Sequence, residues 1–289
     1  MLKRILTAAI LIPIVVALVW LGPPWLLAAV AAAVAILALI EFFELGDRVG
    51  LRGFKKWTYV CTAGLFWAQH GASFADRFLA KRDIGSLLLA RNVVGGFQSV
   101  ESILLVFLLG AVSIGLATRR PLHDVLPAIA ISSAGLLFIA LPFSYLVRID
   151  EMQRFGRELV LFTLILIWAG DVFAYFVGRF AGRVPMAPAL SPKKTWEGAV
   201  ANFAASLIVG ALFARWLETD IVGMLIVAGL ANIAGQMGDL IESAYKRGAA
   251  VKDSGGLLPG HGGVLDRIDS LIYVAPLFFH YLRYSHDLG

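Results

Sequence analysis

Apolar residues run along this chain in long, nearly unbroken stretches separated by short clusters of charge, glycine and proline. The stretches 5–22, 25–45, 99–117, 125–147, 158–178, 197–217, 221–243 and 267–284 are each about as long as a helix must be to cross a hydrocarbon core of roughly 30 Å. A ninth stretch, 57–75, is interrupted by Gln69, His70 and Ser73, and fits a re-entrant or interfacial helix as well as a span. Closed membrane barrels show short alternating segments instead, and the sequence has none. The pattern therefore predicts an all-α, polytopic integral membrane protein with about eight to nine transmembrane helices. Between two of the stretches, 76–98 mixes charge with leucine in the manner of an amphipathic helix lying on the membrane surface. Lys3 and Arg4 give the first stretch the basic start of a signal peptide. No small-x-small cleavage site clearly follows and the second stretch begins at once, so the first is expected to be a retained anchor. Without internal repeats or a long linker, the expected division is an N-terminal multi-span region, 1–157, and a C-terminal region, 158–289, with polar loops at 179–196 and 244–267.

Composition agrees with a bilayer setting. Hydrophobic residues make up 59% of the chain and charged ones 16%, against about 25% charged in soluble domains. The lone Cys61 excludes an intramolecular disulfide and any cysteine-based metal site. The net charge of +5 comes without a basic stripe interleaved with aromatics, which argues against a nucleic-acid partner. With nine spans, 16 of the 25 Lys and Arg residues fall on one side, including those of both polar loops. With eight spans the loops move to the poorer side. The charge count alone separates the two topologies little, but a site that uses a nucleotide must face the cytoplasm, and that favours nine.

Charges within membrane spans cost about 2.5–3.5 kcal/mol each on insertion scales, so they mark places with work to do. Here they gather late in the chain. Asp239, Glu242 and Lys246 stand at i, i+3 and i+7, on one helical face, with Gly235 and Gly238 allowing another backbone to come close. Asp266 and Asp269 share a face at the start of the last stretch, and Asp171 lies one turn before Tyr175. Carboxylates without His or Cys, beside a basic glycine-rich loop, suit Mg²⁺ shared with phosphate oxygens. Residues 251–263 offer backbone amides at Gly255, Gly256, Gly260, Gly262 and Gly263, and Lys246, Arg247, Lys252 and Arg267 supply positive charge. The loop "SPKKTWEG" brings Lys193, Lys194 and Thr195 to a helix expected to begin near Trp196, where phosphate is favoured. His261 has no partner at ligand spacing, so hydrogen bonding to substrate or backbone is expected of it rather than metal ligation. Taken singly, Asp239 and Glu242 could form a structural ion pair with Lys246, Asp171 could snorkel, and Lys193 and Lys194 could be topology charges. Their coincidence on one side in the nine-span topology favours a site.

The run "SAYKRGAAVKDSGGLLPGHGGVLDRIDS", Ser243 to Ser270, resembles the signature of the phosphatidate cytidylyltransferases (CDP-diacylglycerol synthases). "GQMGDLIES", "SPKKTWEG" and "DVFAYFVGRFAGR" resemble that family's pattern too, and the likeness is specific over residues 168–272. The resemblance implies transfer of a cytidylyl group from CTP to phosphatidate, giving CDP-diacylglycerol and pyrophosphate for phospholipid biosynthesis. It implies Asp239, Asp266 and Asp269 as ligands of Mg²⁺, with a second cation, K⁺ or another Mg²⁺, nearby. Lys246 joins these three as a catalytic residue. Ser191, Lys193, Lys194, Thr195, Arg247, Lys252, Asp253, His261, Gly262, Gly263 and Arg267 are implied as substrate-binding, and Asp171 and Glu242 as supports behind them. A multi-pass protein of the inner (plasma) membrane is implied, with its site facing the cytoplasm, as is a homodimer. Rival readings are a CTP-dependent polyprenol or phytol kinase, whose alcohol acceptor would need deprotonation, and a membrane transporter, for which no inverted repeat is visible.

Overall fold

The computed structural model describes residues 2–79, 99–118, 120–152, 154–257 and 262–284. Most of the surface helix expected at 76–98 lies outside them, as does His261. The described residues divide into two compact units, one formed by Leu21–Glu151 and the other by Met1–Trp20 together with Met152–Gly289.

In the first unit, α2 (Pro24–Arg48), α3 (Lys55–Leu79), α4 (Val100–Ala117), α5 (Leu122–Gly135) and α6 (Leu141–Asp150) pack around an apolar interior. A π-helical turn, Leu136–Ala140, joins α5 to α6 just ahead of Pro142. Proline lacks the N–H that an α-helix needs and its ring crowds the carbonyl four residues back, and the wider turn absorbs both without ending the helix. The weak stretch 57–75 lies within one continuous helix, α3, in which Thr58, Thr62 and Gln69 are buried and His70 is partly buried. Gln69 donates to Ser144 Oγ (3.0 Å), and His70 pairs with Glu151.

The second unit holds α1 (Leu2–Leu21) as far as Trp20, then α7 (Gly156–Phe180), a hairpin of β1 (Pro185–Ala187) and β2 (Ser191–Thr195), and α8 (Trp196–Leu217), α9 (Ile221–Gly248) and α10 (Leu265–Tyr284). Trp20 stacks on Trp216 with centroids 6.3 Å apart, and its carbonyl accepts from Arg157 (2.6 Å). Phe162 packs between Phe213 and Phe278 in the interior. At Gly238 of α9, a Cβ would lie 2.6 Å from the Asp269 carbonyl oxygen, so only glycine lets α9 and α10 meet there.

Helices occupy all nine expected stretches. Among the described residues six helices are long and apolar enough to cross a membrane, so the expected eight to nine are not reached by that measure. The apolar part of α1 is short, α3 carries Gln69 and His70, and α10 opens with Asp266, Arg267 and Asp269. The protein is an all-α, multi-pass membrane protein. The β1–β2 hairpin, antiparallel with Pro185 opposite Thr195, is the one sheet among the described residues and was not foreseen.

Candidate active site

Within the second unit, α7, β2, α8, α9 and α10 surround an open cavity of about 460 Å³. Local structure explains how each wall reaches it. Thr195 closes β2 and caps α8, its Oγ1 accepting from the Gly198 N–H (3.2 Å), while Glu197 in the first turn accepts the Val184 N–H (3.3 Å). The cap fixes the direction in which Lys193 and Lys194 leave the strand. On the opposite wall, the glycine contact at Gly238 brings Asp269 of α10 beside Asp239 of α9.

The acidic side chains form two groups. Asp171, Asp239 and Asp269 share one part of the cavity and act electrostatically on one another. Lys194 forms an ion pair with Asp239, and the charges of Lys194 and Arg267 both reach Asp171. As they stand, no three metal-ligating side chains among the described residues are gathered closely enough to hold an ion.

The second group is more enclosed. Lys246 sits between Glu242 and Asp266, pairing with both, at 2.5 Å for Asp266 Oδ1. Asp266 Oδ2 accepts from the Ser254 N–H (3.1 Å), the Ser254 hydroxyl (3.0 Å) and the Gly263 N–H (2.8 Å). Asp266 thus holds both described ends of the glycine-rich loop to the start of α10. Gly262 has a φ of +78°, and a Cβ there would lie 2.7 Å from Asp266 Oδ2, so this turn requires glycine twice over.

Most of the residues singled out from the sequence meet at this cavity. Ser191, Lys193, Lys194 and Thr195 line it from the hairpin, and Asp171 from α7. Asp239, Lys246 and Arg247 line it from α9. Lys252 and Asp253 of the loop and Asp266, Arg267 and Asp269 of α10 complete it. Arg247 also braces its surroundings, donating from Nε to the Leu190 carbonyl (3.0 Å) and from Nη1 to that of Val251 (3.0 Å). Glu242, Gly262 and Gly263 do not line the cavity. Glu242 is 3% exposed, behind Lys246. Gly263 turns its N–H to Asp266.

Sequence reasoning missed an amide ladder between α8 and α9 whose Asn202, Asn232 and Gln236 form part of the cavity wall. Asn232 donates from Nδ2 to Asn202 Oδ1 (2.5 Å) and to Ser206 Oγ (2.6 Å), and Gln236 Nε2 donates to Asn232 Oδ1 (2.6 Å). The signal was present: Asn232, Gln236, Asp239, Ser243 and Lys246 recur at helical spacing along one face of an apolar helix.

The description "Cytidylyltransferase family" belongs to a family model that matches residues 2–285. A phosphatidate cytidylyltransferase of Haemophilus influenzae is 32% identical over 289 aligned residues, covering 96% of this chain and 97% of that protein. One of Brucella abortus is 34% identical over 277 residues, covering 96% and 91%. One of Bacillus subtilis is 36% identical over 148 residues, so that the match spans about half of this chain and 55% of that protein.

Proposed function

Because the chain belongs to the cytidylyltransferase family, we infer that it is a phosphatidate cytidylyltransferase, an enzyme that makes CDP-diacylglycerol and pyrophosphate from CTP and phosphatidate for phospholipid biosynthesis. The observation that carries this reading is the meeting of Asp171, Asp239 and Asp269 with Lys193, Lys194, Lys252 and Arg267 in one open cavity of a membrane protein. Such a cavity suits two phosphate-bearing substrates, one of them held in the bilayer by its acyl chains.

The chemistry asks for charge control rather than proton transfer. A phosphate oxygen of phosphatidate, already ionised at neutral pH, attacks the α-phosphorus of CTP. A new P–O bond forms as the bond to the β-phosphate breaks, and pyrophosphate leaves with the electron pair. The barrier lies in bringing two anions together in line and accommodating the charge that departs. Lys193, Lys252 and Arg267 hold the phosphates. Lys194 pairs with Asp239, and would have to turn to phosphate for Asp239 to hold a cation.

The acidic group suits Mg²⁺ in its donor chemistry, because Asp171, Asp239 and Asp269 bring only carboxylate oxygens to one part of the cavity. Asp239 and Asp269 would hold the ion, and Asp266 would join them by exchanging Lys246 for it. A second cation, K⁺ or another Mg²⁺, belongs to the same proposal. Bound there, divalent metal would neutralise phosphate charge and ease the release of pyrophosphate. Thr195, Ser191 and the first turn of α8 face the same phosphates, and Asp253, Gly262, Gly263 and His261 are assigned to substrate through the family signature. CTP is cytoplasmic, so the cavity is proposed to face the cytoplasm from the inner (plasma) membrane, a placement that rests on the nucleotide rather than on the count of Lys and Arg. The homodimer is carried over from the resemblance.

The test is an assay of purified protein in detergent with Mg²⁺ and radiolabelled CTP, offering phosphatidate, diacylglycerol and a polyprenol separately. CDP-lipid formed only with phosphatidate, in step with pyrophosphate, is expected. A phosphorylated alcohol released together with CDP would overturn the reading in favour of a lipid kinase. In the same assay Lys193→Ala is expected to raise the apparent KM for one phosphate-bearing substrate about tenfold with little change in kcat, since an exposed phosphate contact acts chiefly in binding. Unchanged kinetics with both substrates would return Lys193 to a topology charge.

A further inference from the structure

Away from the reaction cavity, the first unit carries a concavity of about 660 Å³ where α2 gives way to α3. Arg52, Lys55, Lys56 and Arg120 face it, against the single carboxylate of Asp47, which pairs with Lys55 at 2.5 Å. No ion pair reaches Arg52, Lys56 or Arg120 among the described residues. The walls are fixed. Arg120 donates from Nη1 to the Arg52 carbonyl (2.6 Å), and its guanidinium lies 5.0 Å from the centre of the Phe54 ring. Phe54 is buried, with its N–H donating to Ser132 Oγ (2.7 Å). Trp57 is held by the bond from its Nε1–H to the Phe107 carbonyl (2.9 Å). Positive charge is therefore collected on an aromatic floor where, among the described residues, Asp47 is the one carboxylate and answers Lys55.

We propose that this concavity binds the phosphate of an anionic membrane phospholipid, at a site separate from the one where cytidylyl transfer takes place. Depth in the membrane favours a lipid over a free phosphate ion. The concavity lies at the ends of α2 and α4, two helices long and apolar enough to span, which puts it at headgroup level. Lys56 of α3 faces it, and the outward face of the same helix continues from there with exposed Val60 and Trp67. A phospholipid can set its phosphate among Arg52, Lys56 and Arg120 while its acyl chains run along that face. A free anion would leave the apolar part unused. Basic residues at this level attract anionic lipid by about 1 kcal/mol each, and an arginine can grip phosphate through two parallel bonds.

The test is native mass spectrometry of the full-length protein in detergent, titrated with phosphatidylglycerol or phosphatidylcholine. Wild type is expected to retain phosphatidylglycerol in preference to phosphatidylcholine. The double variant Arg52→Gln/Lys56→Gln should weaken retention of one phosphatidylglycerol by about tenfold or more. The charge-preserving Arg52→Lys/Lys56→Arg should keep it, which separates loss of charge from loss of fold. Equal retention of the two lipids, or undiminished phosphatidylglycerol binding by the Gln variant, would overturn the proposal. So would displacement of the lipid by millimolar inorganic phosphate, since that would make this a site for free anion.

Discussion

Asparagine in place of Asp269 is expected to reduce turnover at least about a hundredfold while leaving the protein folded. Asp269 stands with Asp171 and Asp239 in the reaction cavity, where each feels the negative charge of the others. An amide of the same shape keeps the packing of α9 on α10 but offers a neutral and weaker donor to a hard cation. Removing one of three mutually repelling charges should also relieve the empty site, so the variant should melt no lower than wild type in metal-free buffer. Added MgCl₂ should raise the melting temperature of wild type and have little effect on the variant, because an ion stabilises the state that binds it. Those measurements separate loss of a ligand from loss of fold. A folded Asp269→Asn protein with full activity would remove Asp269 from the metal site.

The second large effect is expected at Lys246, through stability as much as through rate. Its ammonium lies between the carboxylates of Glu242 and Asp266, whose side chains are 4% and 6% exposed. Lys246→Met leaves two buried carboxylates without their shared cation. Breaking a buried pair from one side costs about 3–5 kcal/mol, far more than a surface ion pair contributes. A fall in denaturation midpoint of that order is expected, together with loss of activity as Asp266 and the loop ends it holds are disturbed. Lys246→Met/Glu242→Gln should regain most of the stability, since the more enclosed carboxylate is then neutral. Activity should stay low because Asp266 has still lost its partner. If Lys246→Met melts like wild type, the buried triad is not what holds the loop.

The way this site reads from sequence follows from the way side chains share a face. Asp239 and Lys246 on α9 and Asp266 and Asp269 on α10 share helical faces, so spacing brought them into view, while Lys193 and Lys194 were visible as a polar loop ahead of a helix. What spacing cannot give is the partner across space. Asp266 was expected only to bind metal, yet it also gathers Lys246, Ser254 and Gly263 and so organises the loop. Gly263 was expected to offer its amide to phosphate and offers it to that aspartate. Arg247 reaches back to Leu190, a contact that depends on a hairpin whose strands are too short to show an alternating pattern. The span count suffered for a related reason. Hydropathy averages over a window, whereas the polar residues of α3 are satisfied individually by neighbours such as Ser144 and Glu151.

The ladder of Asn202, Asn232 and Gln236 has a consequence for how the enzyme tolerates its surroundings. Bonds of this kind between membrane helices are individually weak, about 0.6 kcal/mol on average, but they are directional. Sliding α9 along α8 by one residue, a rise of about 1.5 Å, would break the bonds from Asn232 to Asn202 and Ser206 together. When the bilayer thins or thickens, this pair therefore answers by tilting as a single body rather than by shearing. The distance between Lys194 at the head of one helix and Asp239 on the other is set by that ratchet, and the enzyme carries the same gauge from one lipid mixture to the next.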